Sequence, residues 1–422
     1  MKIISKKISR RNFIKAAFTT GIALGGGLIV GCGEEKPSSP SNLKVNFVRQ
    51  IITKDSTNSR CVMWQTDSPM TEPILELISN GVTEKIPVTD STFNDDNNEN
   101  IQYTAQIENL KPNSEYEFKI VDGEKSSETF TLKTYDEKKF KGIIFPDSQS
   151  ADYDVWGEVA QAAFKQNPDA EFFLNMGDIV DNGEDRAQWE AWMVRVEDQL
   201  KKIPFAPVMG NHECYSRDWQ ERYPIAYLNY FAVPANDDKY FDRRYYSFDF
   251  GAAHFVVLDS QWLELDAFAP GVVEAQKKWL QEDLLSTKKI WKIICVHRDV
   301  LQYKINGRAD WLEGFSNVGV EFMPEFDYWN VDVVFTAHLH TYRNRGHIRN
   351  FHDDPTGPLY ILTGVSGDVR YPGLWVNHTL DKVVAPQPET DNFLTIEGDE
   401  KNLLIKSFLP NGKLLDEIKL TK

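Results

Sequence analysis

Four cysteines in 422 residues are too few for a disulfide framework. Long apolar runs are missing too. The longest, Ala16 to Val30, is about 15 residues and is interrupted by Gly25-Gly26-Gly27, short of the roughly 20 that a membrane-spanning helix needs. Positive charge is scarce: 47 Lys and Arg face 63 Asp and Glu, a net charge of −16. That balance repels nucleic acid and anionic membrane surfaces in bulk and argues against a nucleic-acid reader, although a local metal site could still attract a phosphate. No internal repeat is present, and no low-complexity tract beyond a polar linker and an acidic-polar loop near Asn94 to Asn100. What is there is globular: 41% hydrophobic, 12% aromatic and 26% charged residues, enough for two or three domains.

The first 31 residues carry six Lys or Arg and no Asp or Glu, so the remainder carries a net charge of −22. Ser9-Arg10-Arg11-Asn12-Phe13-Ile14-Lys15 ahead of the apolar run resembles a twin-arginine export signal, an address read by a receptor. Ile29-Val30-Gly31-Cys32 resembles a bacterial lipobox. That resemblance implies export from the bacterial cytoplasm by the twin-arginine route and anchoring to a membrane, periplasmic or at the cell surface, through lipidated Cys32. A plain cleaved signal is the alternative. Residues 32–42 then form a linker, polar from Gly33 to Asn42 with two prolines and three serines. With Cys32 lipidated, three cysteines remain and at least one is unpaired, as suits a chain folded in a reducing compartment before export.

Two folded regions follow. Over residues 43–136, short alternating runs are separated by polar turns, without a helical stretch, which predicts an all-β sandwich. Arg60 to Gln65 reads as a strand with Cys61, Met63 and Gln65 on one face and Val62 and Trp64 on the other. Leu110-Lys111-Pro112-Asn113-Ser114-Glu115-Tyr116 resembles the tyrosine corner of a fibronectin type III domain. No residue here has catalytic company, so a spacer or a wall to a neighbouring cleft is the expected role. Over residues 137–422, strands and helices alternate as in a layered α/β domain. Helices are predicted over Val155–Gln166, Asp185–Lys202 and Val272–Ser286. Pro410-Asn411-Gly412-Lys413 predicts a hairpin turn near the end.

Five apolar runs end in metal-capable side chains. Ile143 to Pro146 leads to Asp147 and Gln149, Phe172 to Met176 to Asp178 and Asp181, and Pro207 to Met209 to Asn211, His212 and Glu213. Ile293 to Val296 ends in His297, and Val333 to Ala337 in His338 and His340. Ligands gather at the carboxyl ends of strands in α/β sheets, so five such ends predict one convergent site. Carboxylate, amide oxygen and imidazole suit a pair of divalent cations such as Mn, Fe or Zn without any thiolate. Any one Asp, Asn or His at a strand end is more often a cap; four of the eight histidines falling in these blocks is what favours a site.

Those five blocks, in that order, resemble the calcineurin-like metallophosphoesterases from about Lys141 to Leu420. With the preceding β domain the layout resembles the purple acid phosphatase branch, and together the two regions cover about 90% of the chain. The resemblance implies a four-layer α/β/β/α catalytic sandwich behind a fibronectin III-like one. It also implies two divalent or mixed-valence metal ions. Asp147, Gln149, Asp178 and His340 would hold the first ion and Asp178, Asn211, His297 and His338 the second. His212 would stand beside the leaving group with Glu213 orienting it. The implied reaction is hydrolysis of a small phosphate ester by a metal-bridging hydroxide, as an acid phosphatase-like phosphomonoesterase. A phosphodiesterase or nucleotidase on the same metal pair is the alternative, and a decayed surface binding module a third reading. Two positions depart from the pattern. Asp181 stands where purple acid phosphatases carry a tyrosine, which implies loss of the tyrosinate colour and leaves capping, support or ligation open for Asp181. Gln149 stands where other branches carry His, a weaker donor. Arg298, Asp299, Tyr215, Tyr303 and Arg343 are further candidates for facing the cleft or a substrate phosphate. Trp189, Trp192, Cys214 and Cys295 read as core.

Overall fold

A computed structural model of the chain describes residues 42–386 and 390–422. The export signal, Cys32 and all but the last residue of the linker lie outside the described residues. Among the described residues no helix is long and apolar enough to cross a membrane.

Period-two alternation builds the first region. β1 (Asn46–Ile51), β2 (Arg60–Gln65), β3 (Pro73–Ser79), β4 (Val82–Asp95), β5 (Asn98–Ile107), β6 (Glu115–Asp122) and β7 (Phe130–Lys133) pair antiparallel with one another. The first half of β4 pairs with β3 and the second half with β5, so one strand ties both sheets of the sandwich together. The tyrosine corner forms: the Tyr116 hydroxyl accepts the Lys111 N–H at 2.8 Å. β2 divides as its alternation predicts. Val62 and Trp64 enter the sandwich core, whereas Cys61 and Met63 enter the core of the next domain. A spacer would have no use for that second apolar face; the two domains share a core. The Asn94–Asn100 stretch is a hairpin tip, with Asp96 and Asn97 both left-handed (φ 48° and 56°) between paired Asp95 and Asn98. Two successive positive φ values make the tight turn whose twist matches its strands, and Asp and Asn tolerate that conformation.

The second region starts with β8 (Phe140–Phe145), α1 (Asp154–Gln166), β9 (Phe172–Asn175), α2 (Arg186–Arg195) and β10 (Phe205–Pro207). It continues through β11 (Tyr246–Phe250), β12 (Ala253–Leu258), α3 (Val272–Ser286), β13 (Trp291–Val296), α4 (Asn317–Tyr328) and β14 (Val333–Thr336). It ends with β15 (Tyr342–Arg349), β16 (Leu359–Thr363), β17 (Phe393–Gly398), β18 (Asn402–Phe408) and β19 (Leu414–Thr421). One sheet runs β19-β18-β17-β8-β9-β10 and reaches β1 through the single register pair Ile51 and Phe205; the other runs β11-β12-β13-β14-β16-β15. β8 to β10 are parallel, as are β12, β13, β14 and β16.

Adjacent phenylalanines show the layers. Phe172 meets Phe250 and Phe255 of the second sheet at ring distances of 4.6 and 5.5 Å, while Phe173 meets Phe164 of α1 at 5.4 Å. In β13 the same alternation sends Ile293 and Cys295 between the sheets and Ile294 and Val296 toward the core that includes α3 and α4. Strands buried on both faces need unbroken apolar runs, which is why these read as such. The order is therefore helices, sheet, sheet, helices.

The single helix expected over Asp185–Lys202 is broken. α2 stops at Arg195, Val196 departs from helical φ (−124°), and a four-residue turn of helix follows. Asp185 caps α2, accepting from the Ala187 N–H, so Asp181 is not the cap. Trp189 and Trp192 are fully buried, as are the three described cysteines Cys61, Cys214 and Cys295, all free. Pro410 to Lys413 turns β18 into β19, with Gly412 at φ 87°. β8, β9, β10, β13 and β14 all deliver their carboxyl ends to one edge of the two sheets.

Candidate metal centre

At that edge Asp178, His297 and His338 form one donor group and Asp147, Asp178 and His340 another, each with its donor atoms within 4.8 Å of one another. Asp178 belongs to both. Its Oδ1 accepts the His212 N–H at 2.9 Å, while Oδ2 faces His297 Nε2 at 3.2 Å. Asn211 Oδ1 also lies 3.2 Å from His297 Nε2. Asp147 takes the His338 N–H on both oxygens at 3.1 Å and faces His340 Nε2 at 3.2 Å. The chain thus brings Asp147, Gln149, Asp178, Asn211, His297, His338 and His340 to one place.

The rings are aimed by backbone. His297 Nδ1 donates to the Met176 carbonyl and His340 Nδ1 to the Val369 carbonyl, both at 2.9 Å, which turns each Nε2 toward the carboxylates. Asp178, His338 and His340 all sit in left-handed conformation (φ 48°, 76° and 53°), strain that only a strongly determined site sustains. Gly177 is also left-handed, and a Cβ there would lie 2.6 Å from His297 Nδ1. At Gly210 a Cβ would fall 2.2 Å from Asp178 Oδ1. Both glycines are demanded by the closeness of the walls.

Two buried atoms in the cluster have no hydrogen-bond partner: His338 Nδ1 and Gln149 Oε1. An unsatisfied buried acceptor costs about 1–3 kcal/mol, whereas a cation would satisfy both. Burial and the neighbouring His297 push His338 well below the usual imidazole range, so it stays neutral with a free lone pair. Burial alone would raise Asp178, but the His297 and His212 rings outweigh it and hold the carboxylate ionised. Carboxylate, amide and neutral imidazole in this arrangement fit two divalent ions.

His212 stands beside this cluster on a 3-10 turn (His212–Cys214), its side chain 13% exposed. Its Nδ1 donates to the Asp181 carbonyl at 2.7 Å, with Asp181 Oδ1 at 3.4 Å. Burial opposes its charge, but Asp178 and Asp181 prevail and raise it to about 10. Asp181 therefore serves His212 and is in neither donor group. Gln149 Nε2 lies 3.3 Å from His212 Nε2. That amide can donate to a neutral ring, keeping Oε1 for a metal, or turn its oxygen to a protonated ring; it serves one partner at a time.

Glu213 does not orient His212. It is buried, and its Oε2 accepts from Gly210 N–H (2.7 Å) and Asp178 N–H (3.0 Å) while Oε1 accepts from Ile179 N–H (2.9 Å) and Val180 N–H (3.3 Å). It braces the strained backbone at Asp178. Arg343 and Tyr303 are both engaged by a carboxylate away from the donor groups, although Tyr303 also lines a cavity that reaches His338. Both are buried, and both bond Asp381, at 2.6 and 2.7 Å. Asp299 is likewise buried and bonds Arg345. Arg298 pairs with Glu264, which also accepts from the Tyr215 hydroxyl at 3.3 Å.

The structure adds groups that the strand-end pattern does not reach. Tyr371 packs on His340 (ring distance 4.9 Å), and its hydroxyl is raised by burial and by Asp178 and Asp147, so it stays protonated. Trp219 stands edge-on to His212 at 5.6 Å, as does Tyr215, already a candidate from the sequence, at 5.7 Å. These aromatics lie on loops without hydrophobic periodicity; their only sequence signal is aromatic residues beside turn formers, as in Tyr371-Pro372-Gly373.

Residues 144–342 match the family described as calcineurin-like phosphoesterase, and residues 45–134 the purple acid phosphatase N-terminal domain. Similar curated proteins include purple acid phosphatase 23 of Arabidopsis thaliana, 31% identical over 193 residues, 43% of this chain and 38% of that one. Phosphoenolpyruvate phosphatase of Allium cepa is 30% identical over 198 residues, 43% of this chain and 39% of that one. The chain spans less than two-fifths of the length of either relative. Among solved structures, purple acid phosphatase PPD1 from yellow lupin (Lupinus luteus) seeds superposes with a TM-score of 0.72 at 18% identity, covering 90% of this chain and 74% of that one. A PhoD structure gives 0.58 at 11%, covering 92% and 90%. The chain carries a purple acid phosphatase N-terminal domain followed by a calcineurin-like phosphoesterase domain.

Proposed function

We propose that the protein is a metal-dependent phosphomonoesterase acting on a small phosphate ester. The observation that carries this reading is a pair of donor groups sharing Asp178, with His212 at their exposed side. Asp147, Asp178, His340 and, when its oxygen is free, Gln149 would hold one ion, and Asp178, Asn211, His297 and His338 the other. Bound ions would supply positive charge for the phosphoryl oxygens and lower the pKa of water. The chain's own residues do the rest. His297 and His340, locked by backbone carbonyls, keep their lone pairs in place without reorganisation. His212, held by Asp181, keeps a proton at Nε2 on the cleft side and passes it to the leaving oxygen as the ester bond breaks.

The test is hydrolysis of p-nitrophenyl phosphate and of its bis ester, with and without added Mn, Fe or Zn. Metal-dependent turnover that favours the monoester supports the reading. Preference for the bis ester replaces it with a phosphodiesterase.

The sequence signals at Ser9–Lys15 and Ile29–Cys32 support export by the twin-arginine route and lipid anchoring at Cys32. Arg10→Lys with Arg11→Lys is expected to retain the protein in the cytoplasm. Cys32→Ala is expected to abolish palmitate labelling and release the exported protein from membranes; unchanged labelling refutes the anchor.

A further inference from the structure

A cavity of about 260 Å³ adjoins the metal-ligand cluster and shares a residue with it: His338 is part of its lining, as is Arg298. Its surface is mostly apolar, with Trp262, Leu263, Trp311 and Trp375 supplying much of it, while Asp299 and Gln302 are among the polar side chains that also line it. Leu263 and Trp311 are 56% and 41% exposed, an unusual concentration of large apolar surface around one opening. The walls are nevertheless fixed. Trp375 Nε1 donates to the Leu339 carbonyl at 2.9 Å, and Trp262 packs on Phe322 of α4 at 6.0 Å.

Three features narrow the occupant. The cavity adjoins His338, so a phosphoryl group at the metal donors would direct its ester substituent into it. Arg298, the one cationic side chain lining the cavity, is already paired with Glu264, and nothing else there would neutralise a second phosphate. The volume exceeds the about 150 Å³ in which benzene binds, which leaves room for one or two fused rings. Indole walls pack well on a flat aromatic ring, by offset stacking or edge-to-face contact.

We propose that this cavity recognises the alcohol portion of the substrate and that its occupant is an uncharged planar aromatic ring, making the substrate class an aromatic phosphomonoester. The inference rests on the phosphomonoesterase reading. Water adds its oxygen to phosphorus, the P–O bond to the ring-bearing oxygen breaks, and that oxygen leaves protonated as the free alcohol or phenol.

Two measurements test it on the metal-loaded full chain. In calorimetry, phenylphosphonate should bind about tenfold more tightly than methylphosphonate, and Trp311→Ala, at an exposed position where folding is undisturbed, should erase that preference. In turnover, Trp311→Ala should lower kcat/KM for 1-naphthyl phosphate about tenfold more than for glycerol 2-phosphate, chiefly through KM. Equal binding of the two phosphonates, or a Trp311→Ala effect equal on both esters, overturns the proposal. No hydrolysis of either ester overturns the phosphomonoesterase reading instead, and calorimetry then decides the pocket alone.

Discussion

The two sides of the candidate site are built differently. On one side the metal-facing donors Asp147, Asp178, His297 and His340 are buried on the ends of parallel strands, and each is fixed by backbone hydrogen bonds or by a ring so fixed. On the other side His212 sits on a single 3-10 turn, followed by a loop whose Tyr215 and Trp219 flank its ring. That loop is held from outside its own domain. Asp95 at the β4–β5 hairpin tip pairs with both terminal nitrogens of Arg222 (2.6 and 3.0 Å), and Asp96 pairs with Arg217 at 2.6 Å. Rigid donors hold ions by preorganisation, whereas a proton-carrying group facing solvent is positioned by a clasp from the neighbouring sandwich. The sandwich is thus part of the site's support.

The most severe break of the strand-end side is Asn211→Ala. It removes an amide oxygen from the group around His297 and is expected to lower turnover by at least about a thousandfold, with a loss of bound metal measured by elemental analysis. Full activity with both ions bound would remove Asn211 from the ligand set. Glu213→Gln strikes the same side through its backbone. The new amide presents N–H groups to N–H groups, costing about 2–3 kcal/mol in urea unfolding and about 10–100-fold in metal affinity. If it altered only the pH dependence of His212, the brace would belong to that ring after all.

The clasp is tested by Asp95→Ala. Arg222 would then be left without its partner, an expected loss of about 1–2 kcal/mol. The informative readout is the division between the two sides: kcat should fall about tenfold while metal content and KM stay unchanged. Parallel loss of metal would show that the two sides are one mechanical unit.

How much of this was legible in the residues depends on how local each interaction is. Metal-capable side chains follow directly on apolar runs, so strand and donor are contiguous, and Asp178 or His297 could be placed from the sequence. The tyrosine corner is local too, five residues from Lys111 to Tyr116. Glu213 was misread because its partners are backbone N–H groups, which carry no residue identity. Asp95 and Arg222 are 127 positions apart, and the acidic stretch that holds Asp95 has the composition of a solvated loop. The aromatic cavity was illegible for the same reason: Trp262, Trp311 and Trp375 come from three separate segments and meet only in the folded chain.

The smallest expected effect lies outside both sides of the site and serves as their control. His254 on β12 is held between Asp249 (2.7 Å from Nδ1) and Asp283 (2.8 Å from Nε2). Burial opposes its charge, but the two carboxylates win and raise it to about 9. A raised pKa means that the folded state holds the proton more tightly than the unfolded one. The stabilisation is therefore complete below the ordinary imidazole value near 6.5 and fades as pH climbs through about 9. We expect about 1–2 kcal/mol to disappear across that window in urea titrations of the wild type, allowing for the partial exposure of Asp249. His254→Gln should flatten this part of the pH profile while leaving metal content and turnover at neutral pH untouched. A changed kcat in that variant would mean that strain in β12 reaches the metal donors, and the separation drawn between rigid donors and the rest of the sheet would fail.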